Sequence, residues 1–255
     1  MHKESSGTPR RFDDLPQDVQ TVCTALRDGL KAALNDNLYG IYLYGAVVFP
    51  EMKHIHDIDC HVILKRSLTT REKFKIRRLH EELAAEYPAV GNDLDVWYIL
   101  LDDARQAAPP GHQVYPGLFD DSWALHYAHM RAGYCVVLFG PEPEQVFPAP
   151  TWSDLLTGLK AEQTFIEAHL GEYPDYCVLN LCRLLCSYRM KDVVLSKQTA
   201  AEWALDNLIT WKPLIEAALR SYAGEMNEEG KRLLESGAER FYQFACNMIE
   251  EINKT

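Results

Sequence analysis

The chain has no apolar run long enough to cross a bilayer; the longest, such as Tyr134 to Gly140, fall far short of the roughly 20 residues that a spanning helix needs. Its start, Met-His-Lys-Glu-Ser-Ser, lacks the apolar segment of a signal peptide. A cytoplasmic location without a membrane partner is the expectation. No Cys-x-x-Cys pair occurs among the seven cysteines, and Cys60, Cys135, Cys177 and Cys182 sit inside apolar segments, as small hydrophobes do. Reduced core thiols are expected rather than a disulfide framework. Positive charge is also short, with 26 Lys and Arg against 37 Asp and Glu, a net charge of −11. A phosphate backbone needs a basic surface, so nucleic acid is excluded as the main partner. The acidic balance suits a cationic small molecule, although it also serves solubility alone. Internal repeats and low-complexity segments are absent.

The 255 residues are 47% apolar and 25% charged, enough for one large or two modest domains with their own cores. Asp14 to Asp36 carries helical spacing (Val19, Val22, Cys23, Leu26, Leu30, Leu34) and ends in the turn-forming Asn35-Asp36-Asn37. Strands are expected from Leu38 or Tyr39 to Tyr44, from Ile58 to Leu64 and from Leu94 to Leu101. A helix starts near Ser67 to Glu72, with Phe74, Ile76, Leu79 and Leu83 on its apolar face. That order implies a mixed sheet with helices packed on it, α/β or α+β. Residues 102–122, with Pro109, Pro110 and Pro116, read as a long loop over the sheet's working edge. From Trp152 onward the pattern is helical, about 152–170, 175–189, 198–208, 211–223 and 228–253. The division expected is therefore a mixed-sheet domain over 1–150 and an all-helical bundle over 151–255.

The chemistry is carried by Tyr42-Leu43-Tyr44-Gly45-Ala46, followed by Asp57-Ile58-Asp59 at the mouth of the apolar run Cys60 to Leu64. Carboxylates at i and i+2 of a strand point to one face and can share a divalent metal beside a phosphate-accepting turn. Phosphoryl transfer then needs a group to take the acceptor's proton. Asp95 on the neighbouring strand is the candidate, as base or as further metal ligand, with Asp93 its rival. His54, His56 and His61 lack a zinc spacing and read as local polarity. Arg183, set among Val178, Leu179, Leu181, Leu184 and Leu185, must be paired or face a ligand. Trp203 is expected in the helical core, and Asp192 and Glu202 as solvated charges.

Over roughly residues 39–255 the sequence resembles the aminoglycoside nucleotidyltransferases of the streptomycin 3″-/spectinomycin-type adenylyltransferase family. The specific matches are Val178-Leu179-Asn180-Leu181-Cys182-Arg183, Ser196-Lys197, Ala201-Glu202-Trp203-Ala204 and Tyr222. The resemblance implies an α+β chain: a polymerase-β-like nucleotidyltransferase domain, then a helical C-terminal domain. It implies that Asp57 and Asp59 hold Mg²⁺ and that Asp95, where the family usually has Glu, activates the acceptor hydroxyl. Gly45, Ala46 and His56 would lie at the nucleotide, with Arg183 and Lys197 on the triphosphate and Tyr222 packed on the nucleotide. Ala46 stands where the family has a Ser, which removes one hydroxyl donor; His56 stands in place of another Ser. Glu172 and Asp175 lie where the family places acidic substrate contacts, while Trp123, His126 and the 102–122 loop are candidates for the opposite wall. The implied activity is transfer of AMP from ATP to a hydroxyl of an aminoglycoside or aminocyclitol, by a monomer or weak dimer. A same-fold enzyme with another small-molecule or protein acceptor, and a silent nucleotide-binding homologue, are the alternatives.

Overall fold

A computed structural model describes residues 8–53, 55 and 57–254. Helix α1 (Gln17–Leu34) leads into β1 (Leu38–Tyr44), then β2 (Ile58–Leu64), α2 (Thr70–Glu86), β3 (Leu94–Leu100) and the single turn α3 (Leu101–Ala104). After a long loop come α4 (Trp123–Arg131) and β4 (Val136–Phe139), and the chain finishes with α5 (Trp152–His169), α6 (Pro174–Met190), α7 (Lys197–Asn207), α8 (Lys212–Tyr222) and α9 (Glu228–Asn253). The fold is α+β, as expected, and no helix of the described residues is long and apolar enough to cross a membrane.

The four strands lie in the order β3-β2-β1-β4, with β2 and β3 parallel and β1 antiparallel to β2 and β4. The sheet is mixed because β1 and β2 are joined by a loop, whereas the β2 to β3 connection crosses over through α2. Helix α2 is launched by a reciprocal cap: Thr69 Oγ accepts from the Glu72 N–H while the Glu72 carboxylate accepts from the Thr69 N–H at 2.8 Å. Opposed residues across strands share a face, so the registers decide what stands together. One face carries Tyr44, Asp59 and Asp95 in a row, then Tyr42, His61 and Trp97 one pleat further along.

The other face, with Ile41, Leu43, Cys60, Val62, Val96 and Tyr98, is the main core, and all six side chains are buried. Helix α2 reaches that face, where His80 Nε2 meets the Tyr98 hydroxyl at 2.8 Å. Helix α4 covers the polar face instead. Its first residue, Trp123, is fully buried and packs edge-on against His61 at 5.2 Å. Two elements escaped the sequence pattern, α4 and β4. The segment Trp123 to Met130 is buried at seven of its eight positions, so it shows no amphipathic stripe, and β4 has four residues, too few for an alternation to register.

By its internal packing the described chain divides into residues 8–50 with 55 and 57–155, and 156–254 with 51–53. The helical unit is built around α6, eleven of whose residues are buried between its neighbours. All seven cysteines are unpaired, Cys135 and Cys246 half-buried and the rest buried.

Candidate active site

The carboxylates are positioned by the ends of adjacent strands. Asp59 is opposed by Tyr44 on one side and by Asp95 on the other, and Asp57 precedes the strand by one residue. The sequence therefore selected groups that the fold does bring together. Gly45 makes the turn possible at φ +74°, a conformation that side-chain-bearing residues avoid. The space its Cβ would fill is taken by the Asp59 carboxylate: an added carbon would lie 1.7 Å from Oδ2. After it, residues 45–48 form a tight helical turn. Ala46 sits there half-buried. His54 and His56 lie outside the described residues.

Burial is the largest influence raising the Asp95 carboxyl above the usual range; His126 opposes it, and the Asp57 and Asp120 carboxylates reinforce it. Water still reaches Asp95, which limits the effect. The expected loop is present and flanks this residue. His112, Tyr115 and Leu118 join Asp95, Trp97 and Tyr98 around a cavity of about 330 Å³ at the outer edge of β3. The loop is anchored there by the Gln113 N–H, which donates to the Tyr98 carbonyl at 2.8 Å. Asp93, the rival base, is exposed in the short turn before β3.

Trp123 does not form an open wall. Its side chain is 0% exposed and its indole N–H donates to the Gln106 carbonyl at 2.9 Å, so it is a core residue and the expectation of substrate contact is corrected. Nothing in a lone Trp of an unpatterned segment distinguishes wall from core.

A second polar cluster lies under α4. Asp120, 4% exposed, meets His61 Nε2 at 3.2 Å and His126 Nδ1 at 2.9 Å through the same oxygen, Oδ2. Burial alone would raise the Asp120 carboxyl, but the charges and hydrogen bonds of His126 and His61 hold it well below the usual carboxylate range. Burial pushes His61 down to about 4, against the pull of Asp120. Burial likewise lowers His80 and His112. Because these imidazoles titrate lower when folded, the unfolded chain binds more protons below about pH 6.5, and stability falls as the pH drops toward 4. For His61 the loss is on the order of 3 kcal/mol. Urea unfolding at pH 7, 5.5 and 4.5 should show that decline, reduced in His61→Gln; equal stability at all three pH values would contradict it.

In the helical unit, α6 and α7 supply the cations. Arg183 is half-buried and its guanidinium stands 3.5 Å from the Glu162 carboxylate of α5. The expectation that a cation among leucines must be paired is met by Glu162, which the sequence pattern gave no means of choosing. Lys197, at the start of α7 after the Ser196 cap, places its ammonium 4.3 Å above the Tyr176 ring and 5.3 Å above that of Tyr222. Lys197 and Tyr222 are thus neighbours. Tyr176 is an addition, two turns before Arg183 on the same face of α6, a spacing that could have signalled it. Asp175 accepts from the Ser221 hydroxyl, tying α6 to α8 beside Tyr222, whereas Glu172 is exposed. Trp203 is half-buried, and Asp192 and Glu202 are exposed, in line with their reading as solvated charges.

Residues 145–248 match the family described as aminoglycoside adenylyltransferase, C-terminal domain. Over those residues the chain is similar to the C-terminal domain of aminoglycoside adenylyltransferases. A spectinomycin 9-adenylyltransferase of Campylobacter jejuni is 20% identical over 261 residues, covering 96% of this chain and 99% of the relative. Among solved structures, the crystal structure of spectinomycin adenyltransferase AAD(9) from Enterococcus faecialis with ATP and spectinomycin superposes with a TM-score of 0.72 at 17% identity, covering 90% of this chain and 98% of that one. The fold of that structure thus extends over nearly the whole chain, the strand-based half included.

Proposed function

We propose that this adenylyltransferase relative transfers AMP from ATP to a hydroxyl of an aminoglycoside or aminocyclitol, using Mg²⁺ held by Asp57, Asp59 and Asp95. The observation that carries this reading is the register of three strands, which sets Asp59 and Asp95 side by side next to the Gly45 turn. The donor set fits the metal: it consists of carboxylate oxygens, the ligands a hard divalent cation prefers, and the missing Cβ of Gly45 lets Asp59 lie against the turn. When bound, Mg²⁺ supplies charge neutralisation at the phosphates. The chain's own groups do the rest. Backbone N–H groups of the Gly45-Ala46 turn donate to the phosphate oxygens, and Asp95 orients the acceptor hydroxyl.

Arg183 and Lys197 bind the triphosphate, and Tyr176 and Tyr222 flank the nucleotide. The loop over β3 and the cavity beside Asp95 supply part of the acceptor surface, with the exposed Glu172 and the Asp175 carboxylate drawing the amino groups of a cationic drug. ATP as co-substrate and the expected location in the cytoplasm agree.

The test is pyrophosphate release with ATP, Mg²⁺ and a panel including spectinomycin and streptomycin. Release with an aminocyclitol or aminoglycoside supports the proposal. Turnover restricted to unrelated acceptors would replace the substrate class, and ATP binding without release on any acceptor would favour a silent homologue. Replacing Lys197 by Met should raise the KM for ATP roughly 10- to 100-fold, the loss of a charge-assisted contact, with a smaller change in kcat. An unaltered KM for ATP would remove Lys197 from the nucleotide site.

A further inference from the structure

A second set of metal-binding side chains converges beneath α4. His61 stands one pleat beyond Asp59 on the same sheet face, and Asp120 from the loop and His126 from α4 close on it. Asp120 Oδ2 lies 3.2 Å from His61 Nε2 and 2.9 Å from His126 Nδ1, and the Tyr44 hydroxyl lies 3.3 Å and 3.4 Å from the same two nitrogens. Four donor atoms therefore share one small space. In a tetrahedral zinc site with bonds of about 2.0–2.1 Å, neighbouring donors stand about 3.3 Å apart. The spacings here are of that size, and ligand atoms of His61, Asp120 and His126 all fall within 4.8 Å of one another.

Hydrogen bonding alone leaves this group short of acceptors. A carboxylate only accepts, so His61 and His126 each turn an N–H toward Asp120. The Tyr44 hydroxyl then faces two N–H groups, and neither takes its hydrogen. A single cation removes the conflict, because two imidazole lone pairs, the carboxylate and the phenol oxygen can all point at it. Charge leads the same way. Asp120 is buried and pairs with the two imidazoles, with no Lys or Arg partner among the described residues. A buried carboxylate without a lasting positive partner is costly, and a divalent ion supplies one. Nitrogen donors also choose the metal. The carboxylate row offers oxygen alone and suits a hard ion such as Mg²⁺, whereas two imidazoles with one carboxylate suit Zn²⁺. One feature weakens the affinity without removing a ligand: His61 Nδ1 meets no partner, where a ligating imidazole ordinarily donates its second N–H, a loss of about 10- to 100-fold.

We propose that these side chains form a zinc site, one Zn²⁺ bound to His61 Nε2, His126 Nδ1 and Asp120 Oδ2 and closed by the Tyr44 oxygen. With its fourth position filled from the protein, the site is structural rather than catalytic. The ion clamps β1, β2, the loop and α4 to one another beside the carboxylate row. Tyr44, His61 and Asp120 are buried and the His126 side chain keeps 27% exposure, so an ion enters past His126. The four ligands come from four separate elements, which is why the sequence shows no zinc spacing around His61.

The full chain, stripped with a chelator and then given Zn²⁺ alone, provides the test, and its outcome is independent of the transfer reaction. Expected are one zinc per chain by elemental analysis and an unfolding midpoint several degrees higher with excess Zn²⁺ than with excess Mg²⁺. Co²⁺ in place of Zn²⁺ should give the visible absorption of a four-coordinate site with nitrogen and oxygen ligands. His126→Gln should weaken zinc binding by more than about 100-fold, beyond the cost of losing an outer partner, whereas Asp57→Asn on the carboxylate row should leave it unchanged. Zinc kept by His126→Gln but lost from Asp57→Asn would place the ion on the carboxylate row. Zinc held equally by parent and both variants would place it on other side chains, such as the half-buried cysteines. Either result overturns the site, as does a parent that binds no zinc. If His126→Gln does not fold, the cobalt spectrum of the parent decides: an octahedral or thiolate-type spectrum would overturn the assignment.

Discussion

Asp57→Asn is expected to abolish AMP transfer, by at least about a thousandfold, while leaving the fold intact. The substitution keeps the shape and removes the charge. Asp57 is half-buried in the segment entering β2 and is not part of the hydrogen-bonded sheet, so the strands retain their pairing without it. On the site proposed above, what is lost is one of the three carboxylates offered to the metal, worth several kcal/mol to a phosphoryl-transfer step. A second readout follows from the electrostatics. The Asp57 carboxylate helps to raise Asp95, so in the variant the Asp95 carboxyl should titrate lower, visible by ¹³C NMR of the side-chain carboxyl. Retained turnover with Asn at 57 would remove the metal assignment. An unmoved Asp95 would show that the two carboxylates do not share a field.

Gly45→Ala is expected to damage the site more than the fold. Two costs combine at this position. The backbone at φ +74° costs a side-chain-bearing residue about 1–2 kcal/mol. The new methyl would also lie 1.7 Å from Asp59 Oδ2 and 2.7 Å from its Cγ, so the carboxylate must swing out of the row it shares with Asp95. We expect roughly 1–3 kcal/mol of lost stability in urea unfolding and a kcat lower by about 100-fold or more, since misplacing a reacting group by an ångström has that scale of consequence. Activity within about threefold of the parent would mean that Asp59 need not hold its present place.

These two residues were legible as a motif, a turn glycine ahead of paired aspartates, because period-two alternation fixes which side chains share a face before any fold is known. The helical half was equally legible. Five apolar patterns correspond to α5 through α9 within a few residues, since each helix buries one side only and its polar side records the period. Where an element is buried nearly all round, as α4 is, that record disappears, and with it went the place of Trp123, expected on an acceptor wall and found in the core.

Asp120 was invisible for a related reason. It lies in a loop with no periodicity, 59 positions from His61, and only the packing of α4 onto β2 brings the two within 3.2 Å. Glu162, the partner of Arg183, was likewise one of many acidic residues on a helix surface until α5 and α6 were packed together. Tyr176 joined Lys197 and Tyr222 in the same way, by the assembly of three helices.

By itself the sequence determined the chemistry available: three carboxylates on strand ends, a glycine turn, an arginine and a lysine on helices, and the division into a mixed-sheet half and a helical half. These are local properties, written in spacing and residue type. The tertiary structure decided which groups meet. Strand register set Asp59 beside Asp95, the missing Cβ of Gly45 made room for a carboxylate, and the docking of α4 oriented His126 through Asp120. Such contacts join positions far apart in the chain, and their geometry is fixed by packing, which no local pattern encodes.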